Sequence, residues 1–446
     1  MSRDSLAERV PNRAIKRTFP SADGLWYNLA MNKMTRREMI STTVLTAGAM
    51  VAGCGGDPFR NERMAYRPLG KTGLEVSVIG FGGEWMERAD QETCTAVTRR
   101  CEEHGINIVD CWMSNPEVRT KLGNALAPHR RRWIIQGHVG STWRNGQYER
   151  TRDLARCKEA FADLLKRLQT DYIDIGMIHY VDTTEEWESV SKGPFYQYMQ
   201  ELKSAERIRH IGLSTHNPLV GIAAAKSGLV EMMMFSVNPA YDLLPPIDDF
   251  MSYYKGDERY EAKLGGIAPE RAELYRLCEE RGIGLTVMKP YAGGRLFDAE
   301  RSPFGVALTP VQCLHYALTR PAVATVLPGY STVRHVDDAA RYCEALVTER
   351  DYASTLAKAP RHAYGGQCTY CGHCSPCKNG IDIAMVQKLY DLAVVQPAVP
   401  DSVRQHYLAL KHHAGECERC KSCETRCPFH VKVHERMQKA AKLFGC

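Results

Sequence analysis

A-Y-R-P-L-G-K-T-G-L-E-V-S-V, Ala65–Val78, reads as a β-hairpin turned at Lys71–Gly73. Short runs of strand-forming residues flank a Gly-containing turn, the local signature of two antiparallel strands. Beyond it, apolar strand-like runs alternate with longer segments of helical period. The runs are Val78–Gly82, Ile106–Cys111, Trp133–Val139, Ile173–His179, His210–His216, Glu231–Asn238, Gly284–Lys289 and Ala324–Gly329. Helix-period stretches follow them, among them 150–168 and 309–320. Eight β/α units predict an α/β protein, a (β/α)8 TIM barrel closed by the hairpin. A doubly wound sheet would want G-x-G-x-x-G after its first strand, and G-F-G-G-E-W at Gly80–Trp85 lacks that spacing.

In such barrels chemistry sits at the C-terminal ends of the strands. Those ends are Glu84, Asp110, His138, His179, His216, Asn238, Lys289 and the loop Pro328–Gly329. Buried strands usually close on apolar residues, and one histidine among them would be an ordinary core residue. Six charged or imidazole termini of eight predict an active site instead. The polar, aromatic stretch Gln136–Asp153 follows the third strand, so Trp143, Arg144, Tyr148 and Arg152 are candidate mouth contacts, with a solvated loop as the plainer reading. The insertion Asp242–Gly266 is a candidate lid.

Near the C-terminus stand eight cysteines in two runs. The first is C-T-Y-C-G-H-C-S-P-C, with Cys368, Cys371, Cys374 and Cys377. The second is C-E-R-C-K-S-C-E-T-R-C-P, with Cys417, Cys420, Cys423 and Cys427 before Pro428. C-x2-C-x2-C-x3-C-P is the spacing by which three thiolates wrap one [4Fe–4S] cubane and the fourth reaches another. Crossed ligation then pairs Cys368, Cys371, Cys374 and Cys427 on one cluster, and Cys417, Cys420, Cys423 and Cys377 on the other. A zinc ribbon would leave thiolates over, and disulfides between such near neighbours would be strained. The first run departs from the pattern, with Pro376 before its last cysteine and Lys378 after it. Helical segments at 383–396 and 400–413 separate the two runs.

A chain of 446 residues, 44% hydrophobic, can bury a large core with additions. A net charge of +6 without basic–aromatic interleaving predicts no nucleic-acid partner. Of 17 cysteines, those outside the two runs are scattered, as buried thiols are in a reducing compartment. Residues 1–33 carry no core pattern and read as leader or disordered chain. Residues 34–60 hold Arg36–Arg37, an apolar stretch and V-A-G-C at Val51–Cys54, resembling a twin-arginine export signal with a lipobox. This predicts a periplasmic or cell-surface protein with a lipid anchor on Cys54, and a cytoplasmic one if the arginine pair is chance. Twin-arginine export carries folded proteins, which suits a chain needing clusters inserted first.

The chain resembles the aldo/keto reductase family, specifically a branch carrying a C-terminal 4Fe–4S ferredoxin-type module. The matching stretches are Y-R-P-L-G-K-T-G-L-E-V-S at the hairpin, H-G-I-N-I-V-D ending at Asp110, and Y-I-D-I-G-M-I-H ending at His179. I-G-L-S-T-H around Ser214, V-M-K-P-Y-A-G-G around Lys289 and V-L-P-G-Y-S around Gly329 match too. The resemblance implies a barrel over 61–350, an iron–sulfur domain over 351–446, and an oxidoreductase with a small-molecule substrate. It implies an Asp–Tyr–Lys–His tetrad in which the Tyr gives a proton to the carbonyl. Asp110 and His179 match, but Asn115 stands where the Tyr is expected and His138 where the Lys is expected. The tetrad is degenerate, so ordinary NADPH-driven aldehyde reduction is not expected. His138 and His179 become the candidate acid–base pair beside Asp110, with His138 the candidate donor.

The resemblance also implies NADP(H), on a site only partly kept. Asn238 and Tyr241 resemble the nicotinamide shelf, and Ser214 the carboxamide partner. Gly329, Ser331, Thr332 and Arg334 open a helix that could take a phosphate, or simply cap it. Soluble NADPH is scarce outside the cytoplasm, so an exported form would carry bound nucleotide or none. Three functions stay open at this point. One is an iron–sulfur oxidoreductase relaying electrons to or from the barrel mouth, with a membrane-associated electron-transfer partner. Another is a lyase, isomerase or hydrolase using acid–base or metal chemistry, with Glu84 among the ligands and structural clusters. The last is a non-enzymatic electron-transfer subunit.

Overall fold

The computed structural model describes residues 60–248, 266–359, 365–394 and 398–446. The leader, the arginine pair, the lipobox cysteine and most of the candidate lid lie outside the described residues. Strands β1 (Tyr66–Pro68) and β2 (Glu75–Ser77) form the hairpin. Next come β3 (Phe81–Gly82), β4 (Ile108–Cys111) and β5 (Ile134–Val139). A second hairpin interrupts the series, β6 (Ser141–Arg144) and β7 (Gln147–Arg150). The series resumes with β8 (Ile173–Ile178), β9 (Ile208–Thr215), β10 (Met232–Ser236), β11 (Gly284–Met288) and β12 (Val323–Val326).

The eight long-range strands pair in parallel in the order β12-β11-β10-β9-β8-β5-β4-β3. Parallel bridges Ile79–Val326 and Gly82–Gly329 join the two edges, so the sheet curls into a closed barrel without an open edge. The first strand keeps only two residues of regular ladder, but its backbone is paired further back. Gly80 N donates to Val326 O at 2.7 Å, and Val326 N to Val78 O at 3.0 Å. That recovers the run expected at Val78–Gly82.

The N-terminal hairpin plugs the barrel from below. Leu69 and Val76 are fully buried in a cluster with Ile108, Ile175, Met177, Met232, Met234, Ala324 and Leu327. Each of these apart from Ala324 contributes about 1.5–3 kcal/mol by leaving water. At the hairpin tip Gly70 sits at φ 57°, and a Cβ there would lie 2.3 Å from Gly282 O, so only glycine fits this approach. Lys71 N donates to the same carbonyl at 2.8 Å.

Two element boundaries differ from the sequence reading. The helix expected from 150 starts at Leu154 and runs to Arg167, because residues up to Arg150 belong to β7 and Asp153 caps the helix by accepting from Arg156 N. Of the two helices expected in the C-terminal segment, one is Ile383–Val394 and the other only Asp401–Leu408. A third, Val433–Phe444, closes the chain. This segment packs on the barrel. Arg320 Nη2 donates to Thr369 O at 2.6 Å, Tyr352 Oη to the same carbonyl at 2.9 Å, and Lys388 pairs with Glu279 at 3.1 Å. Among the described residues no helix is long and apolar enough to cross a membrane.

Candidate functional site

Parallel pairing puts Asp110 opposite Gln136 and His138 opposite Met177 in the sheet, so the C-terminal ends of β4, β5 and β8 share one rim. There the side chains form a line. Gln136 Nε2 donates to Asp110 Oδ1 at 2.7 Å, and His138 Nε2 lies 3.0 Å from the same oxygen. His138 Nδ1 lies 2.8 Å from His179 Nδ1, and His179 Nε2 lies 2.7 Å from Tyr148 Oη. Asp110, His138 and His179 are buried, at 1%, 3% and 5% exposure, whereas Tyr148 is only half-buried. The line therefore runs from a buried carboxylate to a phenol near solvent.

The sequence reading placed the proton donor at His138. Both ring nitrogens of His138 are engaged and the ring is buried, so it reaches a mouth ligand only through His179. Asn115, at the position where the family's tyrosine is expected, has a structural task. Asn115 is the cap of helix Pro116–Leu126, its Oδ1 accepting from Glu117 N at 2.9 Å. Tyr148 reaches His179 from the second hairpin. Ser141 Oγ donates to Trp112 O and Ser114 Oγ to Thr142 O, both at 2.7 Å, which ties the hairpin to the loop after β4. Trp112 stacks on His179 at 5.8 Å and meets Tyr148 edge-on at 5.4 Å. The sequence signal for this hairpin is Asn145-Gly146, both at positive φ (52° and 76°), the two-residue turn that favours Asn-Gly.

Electrostatics sort the groups. Burial pushes the His179 pKa well below the ordinary histidine value, and neighbouring His138, Arg152 and Arg150 push the same way. His179 is therefore a neutral imidazole at pH 7. Desolvation raises the Tyr148 phenol to about 12 despite Arg150 and Arg152, keeping it protonated. Glu84 keeps solvent contact at the rim, yet desolvation by its neighbours raises its carboxyl, against the pull of Lys289. His216 is lowered by burial while Asp182, 2.9 Å away, works against that shift. Arg152 donates to His179 O at 2.6 Å and pairs with Glu186, which fixes the strand end. Trp143 and Arg144 lie on β6, pairing with Tyr148 and Gln147 of β7.

The expected nucleotide residues are placed differently. Asn238 is fully buried, its amide donating to Lys289 O and accepting from Tyr241 N. Tyr241 is 2% exposed, so its ring has no open face for a nicotinamide. Ser214 is buried, its carbonyl accepting from Val181 N. At the last loop Trp85 lies over Gly329, where a Cβ would stand 1.9 Å from the indole. Ser331 engages His335 and Thr332 caps the helix Val333–Ala340, while exposed Arg334 lies 3.9 Å from Asp338. These contacts cap the helix.

In the C-terminal segment Cys368, Cys371, Cys374 and Cys427 line one pocket, walled by Ile383, Phe429, Val431 and Val433. Three of these cysteines come from the first run and one from the second. Val431 N points at Cys427 Sγ from 3.5 Å. Arg426 binds the runs together by donating to Cys374 O and Pro376 O. Cys377 is carried toward the second run by its neighbours. Lys378 pairs with Glu418, and Asn379 Nδ2 donates to Glu416 O at 2.6 Å. Among the described residues no three His, Cys, Asp or Glu side chains converge as ligands of a single metal ion. That holds for the barrel rim with Glu84 and for a zinc ribbon. Cys446, outside the two runs, is exposed rather than buried.

Comparison with known proteins agrees with the barrel. The family model described as "Aldo/keto reductase family" matches residues 78–309, just over half of the 446 residues. Aldo-keto reductase YhdN of Bacillus subtilis is 28% identical over 200 residues, 42% of this chain and 55% of that protein. Protein tas of Escherichia coli is 30% identical over 182 residues, 34% of this chain and 52% of that protein. The chain thus spans about half the length of these curated relatives. The holo form of aldo-keto reductase AKR11C1 from Bacillus halodurans superposes with a TM-score of 0.52 at 25% identity, covering 67% of this chain and 99% of that one. A closed eight-stranded parallel barrel plugged by a hairpin, with a family match through seven of its eight strands, leads to one assignment: the chain belongs to the aldo/keto reductase family.

Proposed function

We propose that the chain is an iron–sulfur oxidoreductase of aldo/keto reductase type, in which two [4Fe–4S] clusters relay electrons to or from a small molecule at the barrel mouth. The observation that carries it is the shared pocket of Cys368, Cys371, Cys374 and Cys427, the crossed set expected from the spacing. A cubane holds its four thiolates further apart than a single ion does, which fits four cysteines round a pocket with no single-ion cage. The apolar wall and the N–H directed at Cys427 suit a cluster, whose potential answers to hydrogen bonds at sulfur and to solvent exposure. Cys417, Cys420, Cys423 and Cys377 would hold the second cluster. Bound there, two clusters would together supply the two electrons that a carbonyl–alcohol couple exchanges.

The fold suits a barrel over 61–350 and a cluster domain over 351–446, docked by Arg320 on Thr369 and by Lys388 on Glu279. NADP(H) belongs to this reading as the family's usual hydride carrier, although buried Tyr241 favours the alternative of acid–base chemistry with structural clusters. The two are separated by one spectrum. Broad visible absorption bleached by dithionite, and bleached also by anaerobic NADPH or by a mouth substrate, is the expected result. Clusters that dithionite reduces but that never exchange electrons with any barrel ligand would favour the alternative.

Arg36–Arg37 and Cys54 support export as a folded, lipid-anchored protein that meets its electron partner at a membrane. Replacing both arginines by lysine should retain the protein, clusters filled, in the cytoplasm. Unchanged fractionation would remove the export reading.

A further inference from the structure

We propose, resting on the iron–sulfur reading above, that Arg320 of the barrel is the counter-charge of the cluster held by Cys368, Cys371, Cys374 and Cys427. As a positioning residue it sets how readily that cluster takes an electron.

Arg320 lies between helix Pro310–Leu318 and β12, so it belongs to the barrel. Its side chain is buried, at 2% exposure, and reaches the C-terminal segment. Nη2 donates to Thr369 O at 2.6 Å, and also meets Thr319 Oγ1 at 3.0 Å and Tyr352 Oη at 3.2 Å. The guanidinium lies 4.5 Å from the centre of the Tyr316 ring and 5.7 Å from that of Tyr370. Thr369 and Tyr370 stand between Cys368 and Cys371 in the chain and line the same pocket as those cysteines. The cation is therefore held against the pocket wall.

Arginine keeps its charge in proteins, and a buried charge is costly unless it is paired. Other cations around this pocket are paired: Arg436 with Asp391, and Lys388 with Glu279. Arg320 differs. Its Nη2 contacts are a carbonyl and two hydroxyls, and its Nε and Nη1 are buried with no hydrogen-bond partner among the described residues. Asp242 contributes to its field, but that carboxylate is engaged by Arg271 at 3.3 Å and by the hydroxyls of Tyr275 and Tyr316. Among the described residues, then, no carboxylate touches the Arg320 guanidinium.

The cysteine set would bring the missing anion. Four thiolates round an iron–sulfur cubane carry net negative charge, which grows by one unit on reduction. A fixed cation beside them favours the reduced form, since net charge is one of the settings of a cluster potential. Thr369 is next to Cys368 in the chain, which puts the guanidinium on the order of 10 Å from the cluster. A unit charge at about 10 Å, in the effective dielectric of a protein, is worth about tenfold in an equilibrium constant. Buried as it is, this charge is screened little by salt. The barrel thereby supplies part of the electrostatics of the segment docked on it, through the same side chain that docks it.

The test is an EPR-monitored redox titration of the intact, anaerobically purified chain. Arg320→Gln and Arg320→Met remove the charge, and Arg320→Lys keeps it. Cys427→Ala, expected to lose the first cluster, identifies that cluster's signal. In both neutral variants the reduction equilibrium of this signal should shift about tenfold or more toward the oxidised form, a fall of about 59 mV or more for one electron. The other cluster's signal should stay in place, and Arg320→Lys should keep the parent value. Neutral variants that hold only about four irons, while Arg320→Lys holds about eight, would support the proposal too, because the charge would then be needed to retain the cluster. A first-cluster potential unmoved in the neutral variants overturns it. So does a shift shared equally by both signals, or an equal fall or iron loss in Arg320→Lys, which would make the side chain a packing element. A parent chain without iron and acid-labile sulfide fails at the iron–sulfur reading itself, whereas an iron-loaded parent indifferent to Arg320 fails only here.

Discussion

His138→Ala is expected to lower turnover by about 10²–10⁴-fold, the range for loss of a positioned proton-transfer group, while the clusters remain reducible. His138 is the middle of the line. It alone joins Asp110, 3.0 Å away, to His179, 2.8 Å away, and its removal leaves His179 without the partner that fixes its tautomer. His138→Gln restores a donor and an acceptor without the imidazole ring. It should keep the fold and the cluster spectrum while turnover stays low. Robust NADPH-dependent aldehyde reduction surviving His138→Ala would contradict this account.

The second large effect concerns stability. Asp242→Ala is expected to cost about 3–5 kcal/mol, the cost of removing one partner from a buried ion pair. Asp242 is fully buried after β10, and so is Arg271, 3.3 Å away. Tyr275 and Tyr316 also donate their hydroxyls to its carboxylate, the latter at 2.7 Å. Removing that carboxylate takes an ion-pair partner from Arg271 and an acceptor from two buried phenols. Tyr316 also lies beneath Arg320, which binds Thr369 next to Cys368, so loosening should spread to the docking of the C-terminal segment. Urea unfolding checks it: a change below about 1 kcal/mol, within the reach of a surface pair, would mean that the carboxylate is not structural.

The barrel was legible because strands covered on both faces are continuous apolar runs, and eight such runs alternate with helical periods. Ile173–His179 and Gly284–Lys289 came within one residue of β8 and β11 for that reason. The cysteine spacing was legible because it is local in the chain. The line of side chains at the rim was not. Its members lie on β4, β5, the strand end after β8 and an inserted hairpin, and only the closed sheet brings them within hydrogen-bond reach. The expectation that a tyrosine must follow Asp110 at fixed spacing treated a three-dimensional requirement as a local one. The position held by Asn115 caps a helix, and the phenol beside His179 is Tyr148, beyond an Asn-Gly turn hidden in a polar stretch. Spacing alone also did not show how the expected nucleotide residues are engaged. Asn238 and Tyr241 keep a family-like spacing, yet one side chain is occupied by backbone and the other is buried.

The measurement that tests the central claim most directly is iron and acid-labile sulfide in anaerobically purified protein, with Cys427→Ala and Cys377→Ala beside it. The account predicts about eight irons per chain, two cubanes of four, and a fall toward about four in either variant, because each cysteine serves the other run's cluster. About one zinc without iron, or a single cluster indifferent to Cys427→Ala, would contradict it.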